Sequence, residues 1–275
     1  MSGPIFYEWP NGMRSIAGGT RNEIKLSRPW QKEIEVNPAT CPFCTGKGQV
    51  LAALEGGKWL LIKNKFTPYP FHEMVIPARC WSPDKVRVLG GEEDIAVAFR
   101  LIQREIGNHS VKKLRVTVHV GALAGQNVGH LHYHIVEYML DGDASESRVP
   151  SVMRVFFRTR HDLVLSQSNS FIVGVGGLKA GQCFILPDRY HTSVAVLARE
   201  LSRLVLLYNK KFKSAQGLSP DFSLALQFLN GELQYGIYTP ILNHWGAAEQ
   251  MTLYEPGCPI TLPWPHEMTA EYLKS

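Results

Sequence analysis

The chain has 275 residues, 45% of them hydrophobic and 19% charged, with five cysteines and a formal net charge of +5. Such a length suits about one or two domains with a full core, and the apolar share excludes a disordered chain or a fibre. No apolar run reaches the roughly 18 residues of a membrane span, and the first ten residues lack a basic stretch followed by an apolar one, so neither a membrane partner nor a secretory signal is expected.

The first forty residues read as loop, punctuated by Pro10-Asn11-Gly12, Gly18-Gly19 and Arg28-Pro29-Trp30. A knuckle follows at Cys41-Pro42-Phe43-Cys44. Strands are expected over 58–63 and 73–76, on either side of the turn-rich Thr67-Pro68-Tyr69-Pro70. Ile95, Ala98, Phe99 and Ile102 recur at helical spacing and predict an amphipathic helix over 92–106. Residues 114–120 alternate as a strand, 121–129 form a small-residue loop, and 130–138 read as a second strand. A polar linker is expected over 140–150. Beyond it the order of elements recurs: Phe184 to Arg189 echoes Val75 to Arg79 at an offset of 110 residues, a helix is expected over 193–211, and strands over 222–228 and 251–254. The chain thus divides into related halves, 1–145 and 146–275.

Five cysteines cannot all pair within one chain. In a reducing, cytoplasmic setting, neighbouring cysteines point to metal or redox chemistry, and Cys41-x-x-Cys44 has spacing for either. Cys183 and Cys258 lack a sequence neighbour and read as buried apolar residues. The densest signal is Gly125-Gln126-Asn127-Val128-Gly129-His130-Leu131-His132-Tyr133-His134-Ile135. On a strand, residues two apart share a face, so His130, His132 and His134 form a row opposite Leu131, Tyr133 and Ile135. Three imidazoles side by side are costly to bury without partners, which points to metal ligation, nucleophilic chemistry at phosphorus, or both.

The pattern Gly-Gln-x-x-x-His-x-His-x-His resembles the active-site motif of the histidine triad superfamily. The Cys41–Cys44 knuckle, Arg28-Pro29-Trp30-Gln31 upstream of it and the two apparent repeats resemble its galactose-1-phosphate uridylyltransferase branch. The resemblance implies an α+β fold of two histidine-triad-like repeats, each a mostly antiparallel sheet with packed helices, the second degenerate. It implies a nucleotidylyltransferase or phosphorylase that works by double displacement. His132 would be the nucleophile toward the α-phosphorus of a nucleotide sugar or dinucleotide, with phosphate or a sugar phosphate as acceptor. His134 would hold the α-phosphate or protonate the leaving group. Gln126, Asn127 and the loop amides would cradle phosphate oxygens. Arg28 and Arg21 would neutralise the outer phosphates, and Asn64 and Phe66 would line the base or ribose. Relatives also imply a structural zinc, with Cys80 in place of a histidine ligand beside Cys41, Cys44 and His130, and His72 as the competitor for a ligand position. Relatives imply a homodimer too.

Three positions depart from the branch: His119 where asparagine is usual, Lys65 where an acidic residue follows the asparagine, and His134 where glutamine is common. A retained His134 also suits a histidine triad hydrolase that uses water as acceptor. In the second half, 243–250 carries no histidine row, so His191 and His244 are expected to be structural, with Glu249 and Gln250 available to an acceptor hydroxyl. A non-catalytic zinc-stabilised nucleic-acid module would need a basic stripe with interleaved aromatics. Arg100–Arg104 and Lys112–Arg115 do not supply one, so no nucleic-acid partner is expected.

Overall fold

The computed structural model describes residues 34–46, 48–65, 67, 69–109, 113–137, 148–176, 181–188, 193–213, 219–242 and 266–275, together with the backbone of 5–8 and 14–17. The strands β1 (Ile5–Glu8) and β2 (Arg14–Ala17) pair antiparallel, which corrects the reading of the first forty residues as loop. Four-residue strands flanking a turn signal are too short to show an alternation, so the turn alone was legible.

Ten strands form one antiparallel sheet. In the first half these are β3 (Gln49–Leu54), β4 (Trp59–Lys63), β5 (His72–Pro77), β6 (Lys113–Val120) and β7 (Tyr133–Glu137). In the second they are β8 (Val164–Gln167), β9 (Phe171–Val175), β10 (Cys183–Pro187), β11 (Asp221–Leu229) and β12 (Glu232–Ile241). The order across the sheet is β3-β4-β5-β7-β6-β11-β12-β10-β9-β8, so each half repeats one arrangement and the halves meet through their fourth strands, β6 and β11. The helices are α1 (Pro83–Arg87), α2 (Glu92–Asn108), α3 (Arg148–Thr159), α4 (Val194–Lys211) and α5 (His266–Lys274). The long helices α2 and α4 each sit between the third and fourth strands of their half. The α+β expectation holds, including the helices expected over 92–106 and 193–211. The expected linker runs into α3, and the strand expected over 251–254 lies outside the described residues.

Both long helices pack on one face of the sheet. Ile95, Ala98, Phe99 and Ile102 of α2 join Leu197, Leu201 and Val205 of α4 against Val116, Val118, Tyr133 and Ile135. Along β6 the alternation is complete: Leu114, Val116, Val118 and Val120 are buried, while Lys113, Arg115, Thr117 and His119 turn to the other face. On that other face Ile62, Met74 and Ile76 form a small cluster with Phe43 and Leu60. His134 lies on it too, registered between Met74 and Thr117. The helices therefore seal one face, and the other is left for chemistry.

Candidate functional site

Ladder pairing of the histidine strand begins at Tyr133, so His130 and His132 belong to the approach and only His134 to β7. The side-chain alternation nevertheless runs through: Leu131, Tyr133 and Ile135 have no exposed surface and sit in the helix-side core. His130 and His132 are buried, and His134 is half-buried. Gly129, just before them, lies under the chain at 35–36. A Cβ there would stand 2.5 Å from the Glu35 carbonyl oxygen, so only glycine admits this contact.

His130 gathers the cysteines. Its Nδ1 lies 3.4 Å from Cys41 Sγ, 3.6 Å from Cys44 Sγ and 3.3 Å from Cys80 Sγ, and the two sulfurs of Cys44 and Cys80 are 3.4 Å apart. A tetrahedron with metal–sulfur bonds of about 2.3 Å has edges of about 3.8 Å, so these four atoms can hold a metal such as zinc with a slight expansion. His130 Nε2 donates to the Pro77 carbonyl at 2.8 Å, which leaves the Nδ1 lone pair for the metal. Burial lowers the pKa of this imidazole and so favours its neutral form. Burial and the neighbouring Cys44 and Cys41 thiols push the Cys80 thiol well up. A cation among them is the natural way for such thiols to ionise together. Asn37 starts the knuckle, its carbonyl accepting from the Cys41 N–H at 2.9 Å and its side-chain oxygen from the Ala39 N–H at 3.0 Å.

His132 is oriented by its own backbone: Nδ1 donates to the His130 carbonyl at 2.6 Å. In the neutral ring the proton is then on Nδ1 and the nucleophilic lone pair on Nε2. The His134 ring lies edge-on to it, with centroids 4.8 Å apart. His134 Nδ1 is 2.8 Å from His72 Nε2, and His72 Nδ1 is 2.7 Å from Thr67 Oγ1. This chain has two proton arrangements. When the Thr67 hydroxyl donates to His72 and His72 to His134, His134 carries its proton on Nε2. When both donations reverse, the lone pair of His134 is on Nε2. His72 is buried and lies apart from the cysteines, so the structure places it behind His134 and not among the four candidate metal ligands. Sequence reasoning missed that role, although the parity of His72 with Met74 on β5 was its signal.

The remaining expected residues divide. Asn64 belongs to the histidine group: its N–H donates to the His72 carbonyl at 3.1 Å and its side-chain amide is 3.2 Å from His72 Nε2. His119 Nδ1 is 2.9 Å from Ser223 Oγ, and its ring centroid is 6.3 Å from that of His134. Gln126 is buried as a brace: its carbonyl accepts from the Gly121 N–H at 2.7 Å and its amide donates to the Val128 carbonyl at 2.9 Å. It shapes the loop from within, a different task from the phosphate contact expected of it. Asn127 and Lys65 are exposed. Arg21, Arg28, Phe66, His191, His244, Glu249, Gln250 and Cys258 lie outside the described residues. Cys183 is fully buried, 3.1 Å from the Tyr208 hydroxyl, and burial pushes its thiol up to about 12, which makes it inert. No helix among the described residues is long and apolar enough to cross a membrane.

Known proteins share this architecture. The structure resembles an ADP-glucose phosphorylase from Arabidopsis thaliana with bound ADP-glucose (TM-score 0.59, 17% identity, covering 99% of this chain and 98% of that one). It is similar to a galt-like protein of the same plant (TM-score 0.60, 17% identity, 99% of each chain). A yeast Ap4A phosphorylase matches with TM-score 0.52 and 15% identity over 86% of this chain and 70% of that one. At these identities the likeness is one of fold. In sequence, residues 52–138 match the HIT domain, a stretch that holds His72, Cys80, His119 and the three-histidine row. A HIT-like protein of Chlamydia trachomatis serovar D is 32% identical over 85 residues, which are 30% of this chain and 75% of that protein. With the row, its braced loop and this relative in agreement, the chain belongs to the HIT domain family.

Proposed function

We propose that this protein is a nucleotidyltransferase or phosphorylase that acts on a nucleoside-diphosphate sugar or a dinucleotide through a nucleotidyl-His132 intermediate. The observation that carries the reading is the fixed tautomer of His132, whose bond to the His130 carbonyl leaves a nucleophilic Nε2. In the first step Nε2 attacks the α-phosphorus, a phosphorus–nitrogen bond forms, and the phosphorus–oxygen bond to the leaving group breaks. His134 enters as the imidazolium with its Nδ1–H donated to His72 and His72 Nδ1–H donated to Thr67; it gives its Nε2 proton to the departing oxygen and is left neutral with the lone pair on Nε2. In the second step an acceptor oxygen of phosphate or a sugar phosphate attacks the same phosphorus, its proton passes to His134, and His132 is released. Similarity to an ADP-glucose phosphorylase and an Ap4A phosphorylase over most of the chain supports this class.

Arg21, Arg28 and Asn127 serve the phosphates in this reading, Asn64 and Phe66 the nucleoside. Cys41, Cys44, Cys80 and His130 hold a structural zinc, a closed site with no position for substrate, whose reduced thiols suit the cytoplasm. We divide the chain into a catalytic half, 1–145, and a degenerate half, 146–275, on the strength of their matching strand orders. The second reading is hydrolysis with water as acceptor, favoured by the retention of His134.

The test is incubation of zinc-replete protein with α-labelled nucleotide sugars and dinucleotides, followed by a rapid quench. An acid-labile label on His132, discharged by phosphate or a sugar phosphate, is expected. Discharge by water alone selects the hydrolase, and the absence of label with every nucleotide refutes both readings.

A further inference from the structure

The second half touches the first at a place that its lack of a histidine row does not explain. We infer that Asp221, at the start of β11, is a positioning residue that sets the Gly121–Gly129 loop, with Arg87 as its counter-charge.

The loop leaves β6 after Val120, which pairs with Phe222, so the Asp221 side chain stands at the foot of the turn. Its Oδ2 accepts from the Leu123 N–H at 2.9 Å. Its Oδ1 accepts from Arg87 Nη1 at 3.2 Å, and that nitrogen also donates to the Ser219 carbonyl at 2.8 Å. Arg87 is held in turn by Asn209, whose amide donates to its carbonyl at 3.1 Å. The turn is moulded to this carboxylate. Gly121 has φ of +91°, and a Cβ on it would lie 1.9 Å from the carboxylate carbon of Asp221, so no side chain fits. Two residues along β11, on the same face, Ser223 reaches His119 at 2.9 Å.

Inside the loop the Gly121, Leu123, Gly125 and Gln126 N–H groups are all bonded to protein acceptors, and Leu123 is the one among them anchored from the other half. Charge explains why Arg87 is needed. A lone, mostly buried carboxylate would be costly to hold beside the turn, and a guanidinium at 3.2 Å offsets its charge while leaving the acceptor oxygen in place. Asp221 thereby acts on the nucleophile through the backbone that leads to His130 and His132.

This inference rests on the proposed histidine chemistry for its kinetic arm, and amide exchange provides an arm free of it. In Asp221→Ala, the rate of His132 labelling at saturating nucleotide is expected to fall about tenfold or more, since an ångström of misplacement is worth that much. The half-saturating nucleotide concentration and the zinc content should stay near those of the parent. Asp221→Asn keeps an oxygen for the Leu123 N–H and should label at close to the parent rate. The Leu123 amide should lose its exchange protection in Asp221→Ala and keep it in Asp221→Asn. Parent-like labelling by Asp221→Ala overturns the inference, as does equal loss in the alanine and asparagine variants. If Asp221→Ala fails to fold, Asp221→Ser, too short to reach the Leu123 N–H, is read by the same criteria. If the parent labels with no nucleotide, the proposed function falls, while retained Leu123 protection in the alanine or serine variant separately refutes the positioning role.

Discussion

Replacing Cys80 by alanine removes one of the four atoms that surround the Cys41–Cys44–His130 centre and leaves the other three where they are. Apparent zinc binding by such four-ligand centres is worth about 10–16 kcal/mol near neutral pH, so an equal share for one ligand is about 2.5–4 kcal/mol, or roughly 10²–10³ in dissociation constant. Cys80 is only half-buried, so water can take part of its place, and the lower figure is the better expectation. Its sulfur is 3.3 Å from His130 Nδ1, and the His130 carbonyl is the acceptor that sets the His132 tautomer. Loosening a metal held there would therefore reach His132, the proposed nucleophile, through a single residue. The assay is competition for zinc against a chromophoric chelator, paired with rapid-quench labelling of His132. Cys80→Ala should lose zinc at chelator concentrations that the parent withstands, and label more slowly. Cys80→His restores a fourth ligand and should recover both. Parent-like zinc affinity in Cys80→Ala would refute the ligand set.

Three further outcomes are expected. His72→Ala breaks the chain from Thr67 to His134 and should slow His132 labelling about 10²-fold with little change in half-saturation, measured by rapid quench. Gly129→Ala sets a methyl group 2.5 Å from the Glu35 carbonyl and should destabilise the fold by about 1–3 kcal/mol, read from denaturant midpoints. Glu73 faces the helices, and burial, with Glu105 nearby adding to it, raises its carboxyl above the ordinary range despite His109 at 3.5 Å. A carboxyl raised in the folded state binds more protons folded than unfolded, so its contribution to stability falls as pH rises through the folded value. Glu73→Gln should therefore be the more stable protein at pH 7 and lose that advantage below the carboxylate range, checked by unfolding across pH.

The histidine row, its partition from Leu131, Tyr133 and Ile135, and the Cys41–Cys44 pair were legible because each rests on local parity or spacing, whereas Cys80 and His130 joined that pair only through the family resemblance. The long helices were legible for the same reason: Ile95, Ala98, Phe99 and Ile102 carry one stripe, and a stripe needs a core. What escaped was set by register across the sheet. His72 stands 62 residues before His134, and only the pairing of β5 with β7 brings them together. Asp221 lies 98 residues beyond Leu123, and nothing in its own surroundings marks a carboxylate as the anchor of a distant turn. Gln126 is instructive in the other direction. Its place before the row marks it as part of the motif, but only the loop's own hydrogen bonds assign it to bracing. The short strands β1, β2 and β8 carry too few residues for their alternation to stand out.

The seam between β6 and β11 joins two like halves by eight registered residue pairs within one covalent chain. Were the halves separate molecules, that edge would have to be found by diffusion, and its occupancy would fall on dilution. Tethered, it is met at an effective concentration set by the connecting chain, whatever the protein concentration. Identical subunits would also have to present the same residues on both sides of such an edge. One chain is released from that symmetry, so an aspartate can serve as an anchor on one side while histidines stand on the other.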